Sequence, residues 1–129
     1  MSTRETTRAV LKEMDRVLGM GNVQAWHLND SKKPRGSRVD RHEHIGRGCV
    51  GLEAFLEIVQ HEGVREVPKI LETPKDLAPN GRDWDELNLA LLRGMAEGKV
   101  MKVHAFKEKK GKKGKVSEKK SGKKVSKKK

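Results

Sequence analysis

Residues 26–51 read WHLNDSKKPRGSRVDRHEHIGRGCVG, a stretch in which metal-binding and phosphate-binding side chains crowd together. Just before it, Val23, Ala25 and His27 alternate along one face, which predicts a β-strand over residues 22–28 with His27 at its C-terminal end, pointing where the strand's inward residues point. Asp40 and His42 follow in a polar, glycine-containing loop. Two residues apart in an extended segment, their side chains project to one side, so a carboxylate oxygen and an imidazole nitrogen can reach a common cation. The loop over residues 29–48 is long for a compact domain, and its Asp, His, Arg, Lys and Gly content favours a functional loop over a disordered one.

Outward from this stretch the pattern alternates. Ser2 and Glu5 are spaced like a capping box, and Val10, Leu11, Met14, Val17 and Leu18 recur at helical spacing until Gly19 and Gly21. Leu52, Phe55, Leu56 and Val59 mark a second amphipathic helix that ends near Gly63. Residues 66–73 read as a strand, apolar through Val67, Ile70 and Leu71, with Glu72 near its end. After a loop marked by Pro74, Pro79, Asn80 and Gly81, Asp83 can cap a third helix carrying Trp84, Leu87, Leu91 and Met95. The order helix, strand, helix, strand, helix predicts a parallel βαβ unit with one helix ahead of it. His27 and Glu72 then both close strands at the C-terminal end, the end that carries active sites in (β/α)₈ barrels. Two parallel strands with both edges free make a poor sheet alone, so this unit is expected to belong to a larger barrel.

At 129 residues the chain falls short of the roughly 250 residues of a complete barrel. No apolar run approaches the ~20 residues needed to span a bilayer, and MSTRETTR has no secretory apolar segment, so a soluble intracellular protein with no membrane partner is expected. Cys49 is the only cysteine, which excludes an intrachain disulfide and a thiolate zinc cluster; it is expected as a buried thiol behind the loop. The net charge of +12 is unevenly placed. Residues 107–129 hold 13 lysines and 2 glutamates, net +11, leaving a body over residues 1–106 at net +1. That tail, KEKKGKKGKVSEKKSGKKVSKKK, is low-complexity and expected to be disordered. Lysines without aromatic neighbours attract DNA nonspecifically and salt-sensitively. The tail also reads as a nuclear address, against the plainer reading of a solubilising extension, with a mitochondrial location as the alternative address.

At AWHLNDSK (25–32), GSRVDRHEHIGRGCVG (36–51) and PKILETP (68–74) the sequence resembles the endonuclease IV type of apurinic/apyrimidinic endonuclease, a zinc-dependent DNA repair nuclease on a TIM-type barrel. The likeness runs from about Thr3 to about Glu97 and corresponds to the C-terminal third of such an enzyme. It implies an α/β fold made of the last two barrel strands and their helices, and cleavage of DNA on the 5′ side of an abasic site to leave a 3′-hydroxyl. It further implies that His27 and Glu72 match ligands of one zinc of a trinuclear cluster, and Asp40 and His42 ligands of another. The other five ligands, including a bridging carboxylate, belong to earlier strands, so residues 1–129 alone are expected to bind zinc weakly and not to incise. Three origins stay open for the earlier strands: supply by another chain, loss in evolution, or omission from the gene model.

Lys32, Arg38 and Arg41 flank the ligands and are candidates for contact with DNA phosphates, against the plainer reading of a solvated charged loop. His44 falls on a variable position and reads as a loop histidine, while His61 and His104 read as surface residues. Gly36, Gly46, Gly48 and Gly51 fit tight turns rather than a dinucleotide or P-loop pattern. Two other readings compete: a metal-dependent sugar isomerase on a related barrel, disfavoured by HLND and DRHEHIGRG, and a noncatalytic DNA-associating barrel remnant.

Overall fold

Thr3 begins the first helix. In the computed structural model, which describes residues 2–99, the Thr3 hydroxyl accepts from the Thr6 amide at 3.2 Å and the Thr6 hydroxyl accepts from the Thr3 amide at 2.9 Å. The capping box therefore sits one residue beyond the expected Ser2–Glu5 pair. Ser2 is committed elsewhere, its amide donating to the Val50 carbonyl at 2.8 Å. Helix α1 (Arg4–Leu18) ends at Gly19, whose φ of 73° only glycine adopts without strain.

Of the apolar positions expected to bury on α1, only Leu11 is buried; Val10, Val17 and Leu18 are exposed. The cause is that α1 packs against a single helix, α2 (Leu52–Gln60), leaving a narrow buried stripe. Part of that seam is ionic: the buried Glu57 of α2 accepts from Arg8 Nε at 2.6 Å and Arg4 Nε at 3.0 Å. A hydrogen bond from the Arg8 guanidinium holds the Glu57 carboxyl below its usual range; burial opposes this and Arg4 reinforces it.

The parallel pair appears as expected, in shorter form. Strand β1 (Trp26–His27) lies beside β4 (Lys69–Ile70), with Trp26 opposite Lys69 and His27 opposite Ile70. Trp26 donates to the Pro68 carbonyl and Leu28 to the Ile70 carbonyl, each at 2.9 Å. The expected spans, 22–28 and 66–73, shrink because a 3-10 turn, Met20–Asn22, precedes β1, another, Glu62–Val64, precedes β4, and each strand has one ladder only among the described residues.

Trp26 and Leu28 point toward the helices, whereas Ala25 and His27 are exposed. The expectation that Val23, Ala25 and His27 share the inward face is thus corrected by one residue of parity, the smallest error a period of two allows. Leu28 joins Ile45, Phe55, Val59, Leu91, Leu92 and Met95 in the main core, and Leu11, Met20 and Val64 form a second cluster bridged to it by Trp26. Helix α3 (Trp84–Ala96) starts as expected at Asp83, whose side chain accepts from the Asp85 amide, and buries Trp84, Leu87, Leu91 and Met95.

The long loop contains structure that the sequence reading lacked. Strand β2 (Asp30–Ser31) pairs antiparallel with β3 (His42–Glu43), and a Lys32 amide to Arg41 carbonyl bond of 2.9 Å extends the ribbon. Beneath it the buried Asp30 carboxylate accepts from the amides of Ser31 (2.8 Å), Val50 (2.9 Å) and Gly46 (3.0 Å). Gly48 closes this nest: a Cβ there would lie 2.3 Å from the Ser31 carbonyl oxygen and 2.4 Å from Asp30 Oδ1. Among the described residues no helix is long and apolar enough to cross a membrane. The boundary at 106/107, the lysine tail and His104 lie outside the described residues.

Candidate metal centre

Glu72 follows β4 on the same parity as Ile70, so its side chain leaves the open face of the strand pair, as that of His27 does from β1. Its Oε2 lies 3.9 Å from His27 Nδ1 and 3.9 Å from His42 Nδ1. Asp40 Oδ1 is 3.4 Å from His42 Nε2. The structure thus brings the four expected ligands to one edge, with Glu72 between the two imidazoles and Asp40 beyond His42.

The backbone of Glu72 is clamped from two sides. Its amide donates to Asn29 Oδ1 at 2.8 Å, and its carbonyl lies 2.9 Å from His42 Nδ1. A carbonyl only accepts, so Nδ1 carries a proton, and in the neutral ring Nε2 presents its lone pair. With that tautomer the Nε2 lone pair faces Asp40 Oδ1 at 3.4 Å, and a cation could be shared between them.

The zinc that the resemblance implies fits these donors chemically, because imidazole nitrogen with carboxylate oxygen suits that ion. The fit is by halves: His27 with Glu72, and Asp40 with His42. Among the described residues no group of three or more His, Cys, Asp or Glu side chains is placed to hold a metal ion.

His44, expected as an ordinary loop histidine, is instead 3% exposed. It stacks on Trp84 with centroids 4.2 Å apart, and the Arg47 guanidinium lies 4.9 Å from the centroid of the Trp84 ring. Its Nε2 is 3.2 Å from Asp76 Oδ1 and its Nδ1 3.2 Å from Asn88 Nδ2. No local signal marks it, since His44 stands between Glu43 and Ile45 in a polar loop and its partners Asp76 and Asn88 are remote in sequence. Asp85 takes the far end of the same network, accepting from the Thr73 hydroxyl at 3.1 Å and from Lys75. The Lys75 ammonium holds the Asp85 carboxyl below its usual range, against partial burial and with help from Thr73.

His61 is half-buried rather than a surface residue, and its Nδ1, like Trp26 Nε1, is covered without a hydrogen-bond partner. Cys49 is half-buried, its Sγ 3.7 Å from the Lys32 carbonyl, not the fully buried thiol expected. Lys32, Arg38 and Arg41 all lie on the exposed part of the ribbon loop; Arg41 Nη1 donates to the Asp40 carbonyl at 2.9 Å, and Arg38 adopts φ 55°.

Helices on one side of a parallel pair, with convergent polar residues at the strands' C-terminal end, define a segment of a (β/α) barrel. The chain belongs to the xylose isomerase-like TIM barrel family, whose sequence pattern matches residues 4–94. Within that family it is similar to proteins named probable endonuclease 4. That of Chloroflexus aurantiacus is 47% identical over 96 residues, covering 73% of this chain and 32% of the relative. That of Geobacter sp. strain M21 is 48% identical over 98 residues, covering 76% and 34%. The crystal structure of endonuclease IV from Thermus thermophilus superposes with a TM-score of 0.61 at 34% identity, covering 74% of this chain and 33% of that one. The chain spans about a third of the length of these relatives.

Proposed function

We propose that this chain carries the last part of the ligand set of an endonuclease IV-type DNA repair nuclease, which hydrolyses the phosphodiester on the 5′ side of an abasic site. The observation that supports it most is the convergence of Glu72 Oε2 on His27 and His42, at 3.9 Å from each, on the open strand-end edge. Zinc, when bound, withdraws charge from phosphoryl oxygens and makes hydroxide accessible near neutral pH. His27 with Glu72 would hold one ion and Asp40 with His42 another. His42 keeps its Nδ1 proton on the Glu72 carbonyl, which leaves Nε2 as its only free donor atom. Lys32, Arg38 and Arg41, exposed on the ribbon beside Asp40, attract and orient the DNA backbone by charge.

The other five ligands lie outside this sequence, so incision requires a polypeptide that supplies the earlier strands. The lysine tail adds sequence-blind attraction for duplex DNA and a nuclear address. Removing residues 107–129 lowers the salt dependence of duplex binding, because fewer counterions are then released. The sugar isomerase reading is disfavoured by HLND and DRHEHIGRG, and the noncatalytic reading by the presence of all four residues that the resemblance matches to ligands.

The test joins residues 1–129 with a polypeptide carrying the five remaining ligands, in the presence of zinc and a duplex with one abasic site. The joined protein is expected to incise on the 5′ side, and residues 1–129 alone to bind zinc weakly and leave the duplex intact. Robust incision by residues 1–129 alone, or aldose–ketose interconversion by the joined protein without incision, overturns the reading.

A further inference from the structure

Asn88 stands on the buried face of α3 and is 1% exposed. Its carboxamide is fully used. Oδ1 accepts from the Ile45 amide at 3.1 Å, which fixes the orientation of the group because an amide can donate only to the oxygen. Nδ2 then donates twice, to His44 Nδ1 and to Thr73 Oγ1, each at 3.2 Å. With Nδ1 of His44 accepting, its Nε2 carries the proton and donates to Asp76 Oδ1, and the Thr73 hydroxyl donates a hydrogen bond to Asp85 Oδ1. Every donor and acceptor in this buried cluster is matched, which is the condition under which a polar network rigidifies a core.

The three partners of Asn88 come from two separate loops. Ile45 and His44 follow His42 on one; Thr73 follows Glu72 on the other. Helix α3 is itself fixed by its Asp83 cap and by Leu91, Leu92 and Met95 in the main core. We infer that Asn88 is a positioning residue: from outside the ligand set, it sets the spacing between the His42 loop and the Glu72 loop, and so the geometry of the metal half-sites. No other side chain fits this role here. Aspartate has no N–H to give, leucine has no polar atom, and glutamine displaces its carboxamide by a methylene.

The inference rests on the proposed zinc reading, and its test separates the two. Zinc titration of the full chain at constant pH compares the parent with Asn88→Leu, Thr73→Val and Thr73→Ser. Val64→Ala, which opens a cavity in the other core cluster, serves as a control for stability loss alone. Folded fraction is followed by circular dichroism. Asn88→Leu and Thr73→Val are expected to lose up to about 10-fold in zinc affinity, the low end of the cost of removing a group bonded directly to a ligand, because both residues reach the ligands only through the loop backbones. Thr73→Ser, which keeps the hydroxyl, and Val64→Ala are expected to stay near the parent. Parent-like zinc affinity in folded Thr73→Val and Asn88→Leu overturns the inference.

A parent chain that binds no zinc overturns the zinc reading instead, and the inference is then decided without metal. Ring ¹⁵N shifts report whether His42 holds its proton on Nδ1. That tautomer is expected in the parent, Thr73→Ser and Val64→Ala, with a mixture in Asn88→Leu and Thr73→Val. The same tautomer in every variant overturns the inference.

Discussion

The two faces of the β1–β4 pair share one backbone and have opposite surroundings. Toward the helices, Trp26 and Leu28 meet a closed apolar core; on the other side, Ala25, His27, Ile70 and Glu72 stand exposed. Along a strand this division falls between neighbouring residues, so the face that holds the fold and the face that carries the proposed ligands are separated by one peptide. Substitutions on one should move stability and spare metal binding, and on the other the reverse.

The strongest challenge to that division is Leu28→Ala. Leu28 is 2% exposed, and its truncation should cost about 2–5 kcal/mol in denaturant unfolding. Ile70→Ala, on the open face, should change stability by no more than about 0.5 kcal/mol. Similar losses at both sites would mean that the open face is covered. Next comes Gly48→Ala, where the new methyl meets backbone and the Asp30 carboxylate. A loss of about 1–3 kcal/mol is expected, the range for an overpacked site, and Asp30→Ala should not restore it, because the nearest clash is with the Ser31 carbonyl oxygen and three amides would lose their acceptor.

Acid sharpens the comparison at the helix side. The Glu57 carboxyl is depressed by Arg8 and Arg4, so its contribution is present above the unfolded glutamate value of about 4.3 and is lost as pH falls through the lower folded value. The thermal midpoint of the parent should therefore fall more steeply below about pH 4.3 than that of Glu57→Gln. Parallel curves would remove Glu57 from the account. The smallest expected change in stability is that of His27→Ala, within about 0.5 kcal/mol. Its zinc affinity should nonetheless drop, and an unchanged titration would dissociate His27 from the half-site.

What the sequence disclosed follows the same division. Helices α2 and α3 were legible because apolar spacing and the Asp83 cap are local signals. The four proposed ligand positions were singled out because their spacing resembles that of a known family, and their side chains converge on one edge. The β2–β3 ribbon was hidden: its ladder is short, and the residue buried beneath it is an aspartate, a type that argues against a strand. His44 was hidden for a different reason. Its hydrogen-bond partners Asp76 and Asn88 lie 32 and 44 residues away, beyond any local pattern. The face of His27 was misjudged because Val23 and Ala25 are apolar yet precede the two-residue ladder, where they carry no information about its parity.

The ribbon that closes at the Lys32–Arg41 hydrogen bond leaves residues 32–41 on the exposed surface. For a protease this is the most accessible stretch of backbone near the ligands, and it offers Arg35 and Arg38 as basic cleavage points. A cut after Arg38 severs the covalent chain but not the ladder below it, nor the core in which Leu28 from one side of the cut packs against Ile45, Phe55 and Leu91 from the other. The two pieces therefore stay together as one particle and part only on denaturation.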